Sequence, residues 1–321
     1  MQIGLVLILL LLIGQCSDPP PTAEPGAAEW PGTATYSVPL AALDDALKCS
    51  GDRPSPDGSG RSEPVLLVHG TAVTREQNWG WGYWPALQAA GFEVCWVQLP
   101  NRALGDIQVS AEYVARAIEV MAAGAGAKVD IIGHSQGGLV PRWAIKYFPS
   151  GVHVDDYIGF ASPNHGSAVA NRQASRGDEC PAACWQMSRG SDFVAALNEG
   201  DETPGGVSYT SIYTSADTLV TPVTTARLDG ASNVMLQEIC PGRPVEHLLM
   251  AGDAVTWTVA LDALTNDGPA DPKRIPGTTC LKLALPGATL DWPADPGAAS
   301  ARPLAAEPAL KHYARRAHTA P

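Results

Sequence analysis

Basic residues are in the minority in this chain, and the short motifs that hold metals or phosphates are missing from its sequence. Its 321 residues include 21 Lys and Arg against 33 Asp and Glu, for a formal net charge of −12. This acidic balance argues against nucleic acid and anionic membrane surfaces as partners, and it suits a neutral substrate. There is no H-E-x-x-H motif, no Cys–His zinc spacing, no EF-hand loop and no phosphate-binding glycine loop. Metal catalysis therefore has little support, and no metal site is expected.

The N-terminus carries an apolar run, residues 3–13, that is too short to span a bilayer. Its length is that of the apolar region of a signal peptide, so we expect residues 1–16 to be an export signal. Gln15 stands where a bacterial lipoprotein signal takes a small residue. Cys16 is therefore either a lipidated first residue, tethering the protein to a membrane, or part of a discarded leader. The Pro- and Ala-rich residues 17–35 are typical of an extended linker.

The remaining sequence is expected to form one large domain over residues 36–285. With 45% hydrophobic and 17% charged residues, the chain has ample material for a buried core. From Ser62 onward, short apolar runs alternate with helical stretches, as in parallel βαβ units. The candidate strands are 65–68, 92–97, 129–132, 154–160, 207–213 and 233–238. This order predicts an α/β fold with a mostly parallel central sheet flanked by helices. The Ala- and Pro-rich tail, 286–321, is expected either to wrap the domain or to be disordered.

Two helices are predicted within this alternation. Residues 110–123 carry apolar side chains at helical spacing, with Ser110 placed to cap the N-terminus. A second helix is expected over 139–148, with a slight bend at Pro141.

The second helix follows the pentapeptide 133–137, Gly-His-Ser-Gln-Gly, which fits the motif G-x-S-x-G. The motif comes directly after a predicted strand, where a strand-to-helix turn exposes a strained nucleophilic serine. The glycines of the motif remove the side chains that would clash in such a turn. Ser135 is therefore the candidate nucleophile for acyl transfer.

A serine nucleophile needs a histidine base, and in α/β hydrolases the chain order is serine, acid, histidine. That order leaves three of the seven histidines, His247, His312 and His318. His247 lies between a predicted turn and an apolar helical run, 248–264, which suits a triad base. His312 lies in the C-terminal tail and is the weaker rival.

The acid is expected just past the carboxyl end of a strand, where the catalytic and ligand-binding groups of an open α/β sheet lie. Asp217 has that position after the strand 207–213. Asp201 and Asp229 are alternatives, but both lie in turns, where aspartate usually serves the turn itself.

The tetrahedral intermediate of acyl transfer needs two hydrogen-bond donors for its oxyanion. One is expected to be the backbone N–H of Gln136, which follows the nucleophile. The other is expected in the loop His69-Gly70-Thr71, after the first parallel strand, where Thr71 offers an amide and a hydroxyl. His69 is expected to be structural.

Taken together, these motifs resemble the lipase B family typified by the Candida antarctica enzyme, and more closely the exported bacterial lipases related to it. The resemblance covers roughly residues 46–280 and extends to the order and spacing of the motifs. It implies an α/β-hydrolase fold in which Ser135, Asp217 and His247 form a serine triad, with Thr71 and Gln136 as the oxyanion hole. It also implies that no metal or organic cofactor is needed.

The resemblance bears on the cysteines as well. Setting Cys16 aside leaves six, which an exported protein is expected to oxidise, and sequence alone allows 15 pairings. The family implies the pairs Cys49–Cys95 and Cys240–Cys280. Cys180 and Cys184 are additional, and their spacing suits a tight local loop.

The expected activity is that of a secreted lipase or carboxylesterase, a monomer that cleaves neutral acyl esters such as acylglycerols. An acyltransferase or a polyester depolymerase on the same triad is the alternative within catalysis. A hydrolase-fold binding protein without activity is disfavoured, because all three triad positions are filled. Residues 171–179, where the family has a mobile helix near the pocket entrance, are polar and charged here. We therefore expect weak interfacial activation.

Overall fold

The computed structural model describes residues 33–50, 63–176, 180–289 and 301–318. The proposed leader, Cys16 and residues 17–32 of the linker lie outside the described residues. The strands are β1 Leu47–Cys49, β2 Val65–Val68, β3 Val94–Val97, β4 Val129–His134, β5 Val154–Phe160, β6 Ser208–Tyr213 and β7 Ser232–Met235. They form one sheet in the order β1-β3-β2-β4-β5-β6-β7. All neighbours pair in parallel except β1 and β3, which are antiparallel. The predicted architecture, a mostly parallel sheet flanked by helices, is confirmed.

Eleven α-helices are described along these residues. They are α1 Leu40–Asp45, α2 Arg75–Trp79, α3 Tyr83–Ala89, α4 Ile107–Ala125, α5 Gln136–Tyr147, α6 Ala168–Ala174, α7 Ala182–Gln186, α8 Asp192–Asn198, α9 Leu236–Ile239, α10 Ala254–Thr265 and α11 His312–His318. Short 3₁₀ helices occur at Pro149–His153, Val223–Ala226, Leu248–Gly252, Pro272–Arg274 and Gly277–Leu281, and Pro100–Ala103 forms a left-handed turn. No helix among the described residues is both long enough and apolar enough to cross a membrane.

The core lies on both faces of the sheet, which is why β2 is apolar at every position. Successive side chains of a strand point to opposite faces. Leu66 and Val68 accordingly pack in the cluster that contains α4 and α5, while Val65 and Leu67 pack in the one that contains α3 and α10.

Several predicted boundaries are wrong. Asp106, and not Ser110, caps α4, since its carboxylate accepts the N–H of Gln108 at 2.9 Å and Ser110 lies inside the helix. The candidate strand 233–238 is a strand only to Met235 and then turns into α9.

The apolar run 248–264 is likewise two elements, because Asp253 begins a new helix. Its carboxylate accepts the N–H groups of Val255 and Thr256, both at 2.9 Å. The edge strand β1 was not predicted at all.

The described part of the C-terminal tail, 301–318, wraps the domain. The backbone of Leu304 makes two hydrogen bonds in the region of α7: its carbonyl accepts the side-chain Nε1–H of Trp185 and its N–H donates to the carbonyl of Cys180, both at 3.0 Å. The carboxylate of Glu307 accepts the first N–H groups of α8, from Asp192 and Phe193. The tail therefore braces α7 and α8 from outside.

Candidate active site

Ser135 occupies a strained turn between β4 and α5. Its φ of 56° and ψ of −126° are rarely adopted by a residue with a side chain. The turn closes because its neighbours have no Cβ. A Cβ on Gly133 would lie 2.1 Å from the carbonyl oxygen of Gly137, and one on Gly137 would lie 2.2 Å from that of Val68. The G-x-S-x-G spacing is thus a packing requirement that places Ser135 at the carboxyl edge of the sheet.

Asp217 and His247 reach the same edge from two later loops. Asp217 follows β6, and His247 directly precedes the 3₁₀ helix Leu248–Gly252. His247 Nδ1 lies 2.9 Å from Asp217 Oδ2, and each side chain is 3% exposed. The second carboxylate oxygen, Asp217 Oδ1, accepts the N–H groups of Leu219 and Val220, both at 2.8 Å. Both oxygens of the carboxylate are therefore engaged, and its orientation is fixed.

The environment of Asp217 keeps it ionised. Burial alone raises the pKa of this carboxyl, but the hydrogen bond from His247 and the two backbone N–H groups outweigh it. The net result is a pKa below the usual aspartate value. An ionised Asp217 accepts the Nδ1–H of the imidazole, which leaves Nε2 as the basic nitrogen of His247.

Ser135 and His247 line one cavity of about 320 Å³. Its wall also includes Thr71, and among the described residues no Asp, Glu, Lys or Arg contributes to it. The apolar wall comes from loops and helices around the sheet edge: Val73, Leu104, Val169, Ala170, Met187, Leu219, Val220 and Leu248. The cavity therefore suits an uncharged, largely apolar ligand.

The predicted oxyanion loop lies against the turn of the nucleophile. A Cβ on Gly70 would come within 3.2 Å of Ser135 Cβ, so the loop passes as close as a glycine permits. Thr71 Oγ1 donates to Gln136 Oε1 at 2.6 Å, and the N–H of Ala72 donates to the carbonyl of Arg102 at 2.8 Å. These bonds hold the loop beside the first turn of α5, which begins at Gln136 and includes its backbone N–H.

The alternative residues lie elsewhere. Asp201 and Asp229 are exposed and accept backbone N–H groups of their own turns. His312 is exposed on α11 and does not line the cavity. His69 is fully buried, and its Nε2 accepts the N–H of Leu99 at 2.9 Å. Burial lowers the pKa of His69 to about 4, so it is a neutral structural residue.

Two polar residues of the cavity, Asn78 and His134, were not predicted to belong to the site. Both are 4% exposed, and both line the cavity beside Ser135. The available signal was that each is a polar residue beside an apolar one or an apolar run, Asn78 before Trp79 and His134 at the end of strand β4. Most buried polar groups in proteins are hydrogen bonded, so each of these residues is expected to have partners in the fold.

The described cysteines form three disulfides, Cys49–Cys95, Cys180–Cys184 and Cys240–Cys280. These are the pairs named from the resemblance and from the local spacing. The first joins β1 to β3 across their antiparallel register. Cys184 lines the cavity, so the second disulfide is part of its wall.

Comparisons with known proteins bear on the family and the fold of the chain. A family model described as lipase (class 2) matches residues 62–241. Lipase B of Pseudozyma antarctica is 32% identical over 238 residues, covering 71% of this chain and 68% of that protein. The crystal structure of Aspergillus fumigatus lipase B has a TM-score of 0.76 and 28% identity, covering 93% of this chain and 77% of that one. These matches confirm the resemblance and the α/β-hydrolase fold.

A more distant structure shares the fold. The mature form of Bacillus licheniformis lipase BlEst2 has a TM-score of 0.50 and 17% identity, covering 59% of this chain and 89% of that one.

Proposed function

Given that the chain belongs to the lipase (class 2) family and is an ester-hydrolysing enzyme, we propose that Ser135, His247 and Asp217 are its catalytic triad. The observation that carries the proposal is the 2.9 Å contact between His247 Nδ1 and Asp217 Oδ2, in the cavity that Ser135 lines. It supplies an oriented base next to a serine held in a strained turn.

The proposed reaction follows from this arrangement. His247 Nε2 takes the proton of the Ser135 hydroxyl as Oγ attacks the ester carbonyl, and Asp217 stabilises the imidazolium. The resulting oxyanion accepts hydrogen bonds from the N–H groups of Thr71 and Gln136. His247 then gives its proton to the leaving alcohol, and the acyl group stays on Ser135. Water gives a proton to the same imidazole as it attacks the acyl-enzyme. The bond from the acyl carbon to Ser135 Oγ then breaks, His247 returns the proton to Oγ, and the carboxylic acid is released.

The substrate class is proposed from the lining of the cavity. No charged side chain among the described residues faces a ligand there, and most of the wall is apolar. A neutral acyl ester such as an acylglycerol can bury its chain against Val169, Met187 and Leu219 without desolvating a charge. The net charge of −12 further disfavours anionic esters.

Export is part of the same proposal. Three disulfides in the described residues suit an oxidising compartment. The apolar run 3–13 has the length of a signal-peptide core. Mass spectrometry of the protein from its host would distinguish cleavage of the leader from lipid attachment at Cys16.

Hydrolysis of p-nitrophenyl esters of increasing acyl length, by wild type and by Ser135→Ala, tests the function. We expect wild type to turn over neutral esters and Ser135→Ala to lose roughly 10⁴-fold or more in kcat. Equal rates for the two proteins would refute the assignment of Ser135.

A further inference from the structure

Asn78 and His134 form a bridge of polar contacts at the base of the cavity. Asn78 Oδ1 accepts the N–H of Gly70 at 3.0 Å and lies 3.2 Å from His134 Nδ1. The other ring nitrogen, His134 Nε2, lies 3.1 Å from the backbone carbonyl oxygen of His247. The bridge therefore runs from the oxyanion loop, through the turn of the nucleophile, to the loop of the base.

The residues of this bridge are either neighbours in sequence of the proposed catalytic residues or one of them. Gly70 is followed directly by Thr71, and His134 is followed directly by Ser135. His247 is the proposed base itself, and its side chain is already fixed by the acid at Nδ1. A second fixed point on its backbone determines where Nε2 lies relative to Ser135. Such placement matters because a misplacement of about 1 Å can cost roughly 10²-fold in rate.

The ring of His134 is surrounded by other rings and is shielded from solvent. Its ring lies 5.4 Å from that of Phe160, 6.3 Å from that of Trp79 and 5.2 Å from that of His247, measured between centroids. Burial, followed by the nearby His247, lowers the pKa of His134 to about 3. The ring is therefore neutral at working pH and carries a single N–H.

We propose that His134 is a positioning residue that donates its Nε2–H to the carbonyl of His247, while Asn78 holds the oxyanion loop through Gly70. The single ring proton is assigned to Nε2, where it satisfies the carbonyl of the base loop. Nδ1 then contacts Asn78 Oδ1 without a hydrogen bond, and that oxygen keeps the N–H of Gly70. The role rests on the proposed function, since it acts by placing His247 against Ser135.

The test compares His134→Phe, which keeps an aromatic ring without donors, with His134→Gln, whose amide can donate to the same carbonyl. We expect His134→Phe to lower kcat on a soluble ester by roughly 10- to 100-fold, with KM changed less than about twofold. His134→Gln is expected to recover part of that loss. Phe193→Leu, a buried substitution on the opposite face of the sheet, controls for lost stability.

A wild-type kcat in folded His134→Phe, or the same loss in Phe193→Leu at equal loss of thermal stability, would refute the bridge. If His134→Phe does not fold, the imidazole ¹⁵N spectrum of wild type decides. A proton on Nε2 supports the role, and a proton on Nδ1 overturns it. Failure of the proposed function is separate, because wild type would then not react with a fluorophosphonate at all.

Discussion

His247 and Asp217 lie 30 positions apart in the chain, yet Nδ1 of the one and Oδ2 of the other are 2.9 Å apart in a site where both side chains are almost fully buried. The contact depends on the sheet, because β6 delivers Asp217 to the same edge at which β4 delivers Ser135. It also selects the tautomer of His247, and the first prediction follows from that.

Asp217→Asn should keep the shape of the site and lose its function. An amide can present N–H to Nδ1 and so favour the tautomer whose Nε2 is protonated and cannot accept the serine proton. We expect kcat to fall by about 10⁴-fold with little change in KM. Steady-state kinetics on a soluble ester measure kcat and KM, and circular dichroism verifies that the variant is folded. Activity within tenfold of wild type would remove Asp217 from the triad.

Thr71→Val should weaken the oxyanion hole while leaving the cavity apolar and intact. The substitution removes the hydroxyl that joins the loop to Gln136 Oε1 at 2.6 Å. The loop that carries the Thr71 N–H is then held less firmly beside α5. We expect a loss of roughly 10-fold to 10²-fold in kcat, where the upper value is the scale of one lost oxyanion donor. Thr71→Ser, which keeps the hydroxyl, is the matched control and should stay close to wild type. A loss in Thr71→Ser with wild-type activity in Thr71→Val would show that the methyl group and not the hydroxyl matters.

Asp156 should make the protein less stable as the pH rises. It is 7% exposed, and its Oδ1 has no hydrogen-bond partner among the described residues. Burial and the neighbouring carboxylates Asp130, Asp155 and Glu63 raise its pKa to about 8, against an opposing effect of Lys128.

The sign of the effect follows from that raised pKa. Below pH 3.8 the carboxyl is protonated in both the folded and the unfolded state, so its contribution to stability is fully present. As the pH rises towards 8, only the folded state holds the proton, and stability is lost.

Asp156→Asn should remove this loss. We expect it to raise the free energy of unfolding by about 1–3 kcal/mol at pH 8 relative to wild type, and to have little effect at pH 4. Urea denaturation at the two pH values measures it. Asp267→Asn, the same change at an exposed position, should show no such difference. An Asp156→Asn variant less stable than wild type at pH 8 would contradict the account.

Interfacial activation should be weak. The face of α6 towards the cavity includes Val169, Ala170 and the polar Gln173. Asn171 anchors this helix to Arg189 by two hydrogen bonds, at 2.9 and 3.1 Å. With an ester such as tributyrin, the rate should follow one saturation curve through the solubility limit. A steep upward break at that limit would show that the entrance opens on an oil surface.

The sequence was sufficient for the parts of the site that local rules determine. The turn at Ser135 needs glycines at 133 and 137. The chain order of the triad leaves three histidines, of which His247 is favoured by its place between a turn and a helical run. The bridge from Asn78 to His134 joins residues 56 positions apart, and no local pattern announces it. The edge strand β1 was missed for the same reason, since only pairing with β3 makes residues 47–49 a strand.

Local competition explains the wrong boundaries. Asp106 and Ser110 are both good capping residues, and the structure uses the one whose carboxylate reaches the N–H of Gln108. Whether the tail wraps the domain or is disordered depends on contacts with residues that are distant in sequence. Glu307 accepts the N–H of Asp192 at the N-terminus of α8, and the two residues are 115 positions apart in the chain.

The central claim, that Ser135 is the nucleophile of an ester hydrolase, is tested most directly by a fluorophosphonate probe. Wild type and Ser135→Ala would be incubated with the probe, digested and analysed by mass spectrometry. We expect one phosphonylated peptide in wild type, with the adduct on Ser135, and none in the variant. An unlabelled wild-type protein, or an adduct on another residue that persists in Ser135→Ala, would contradict it.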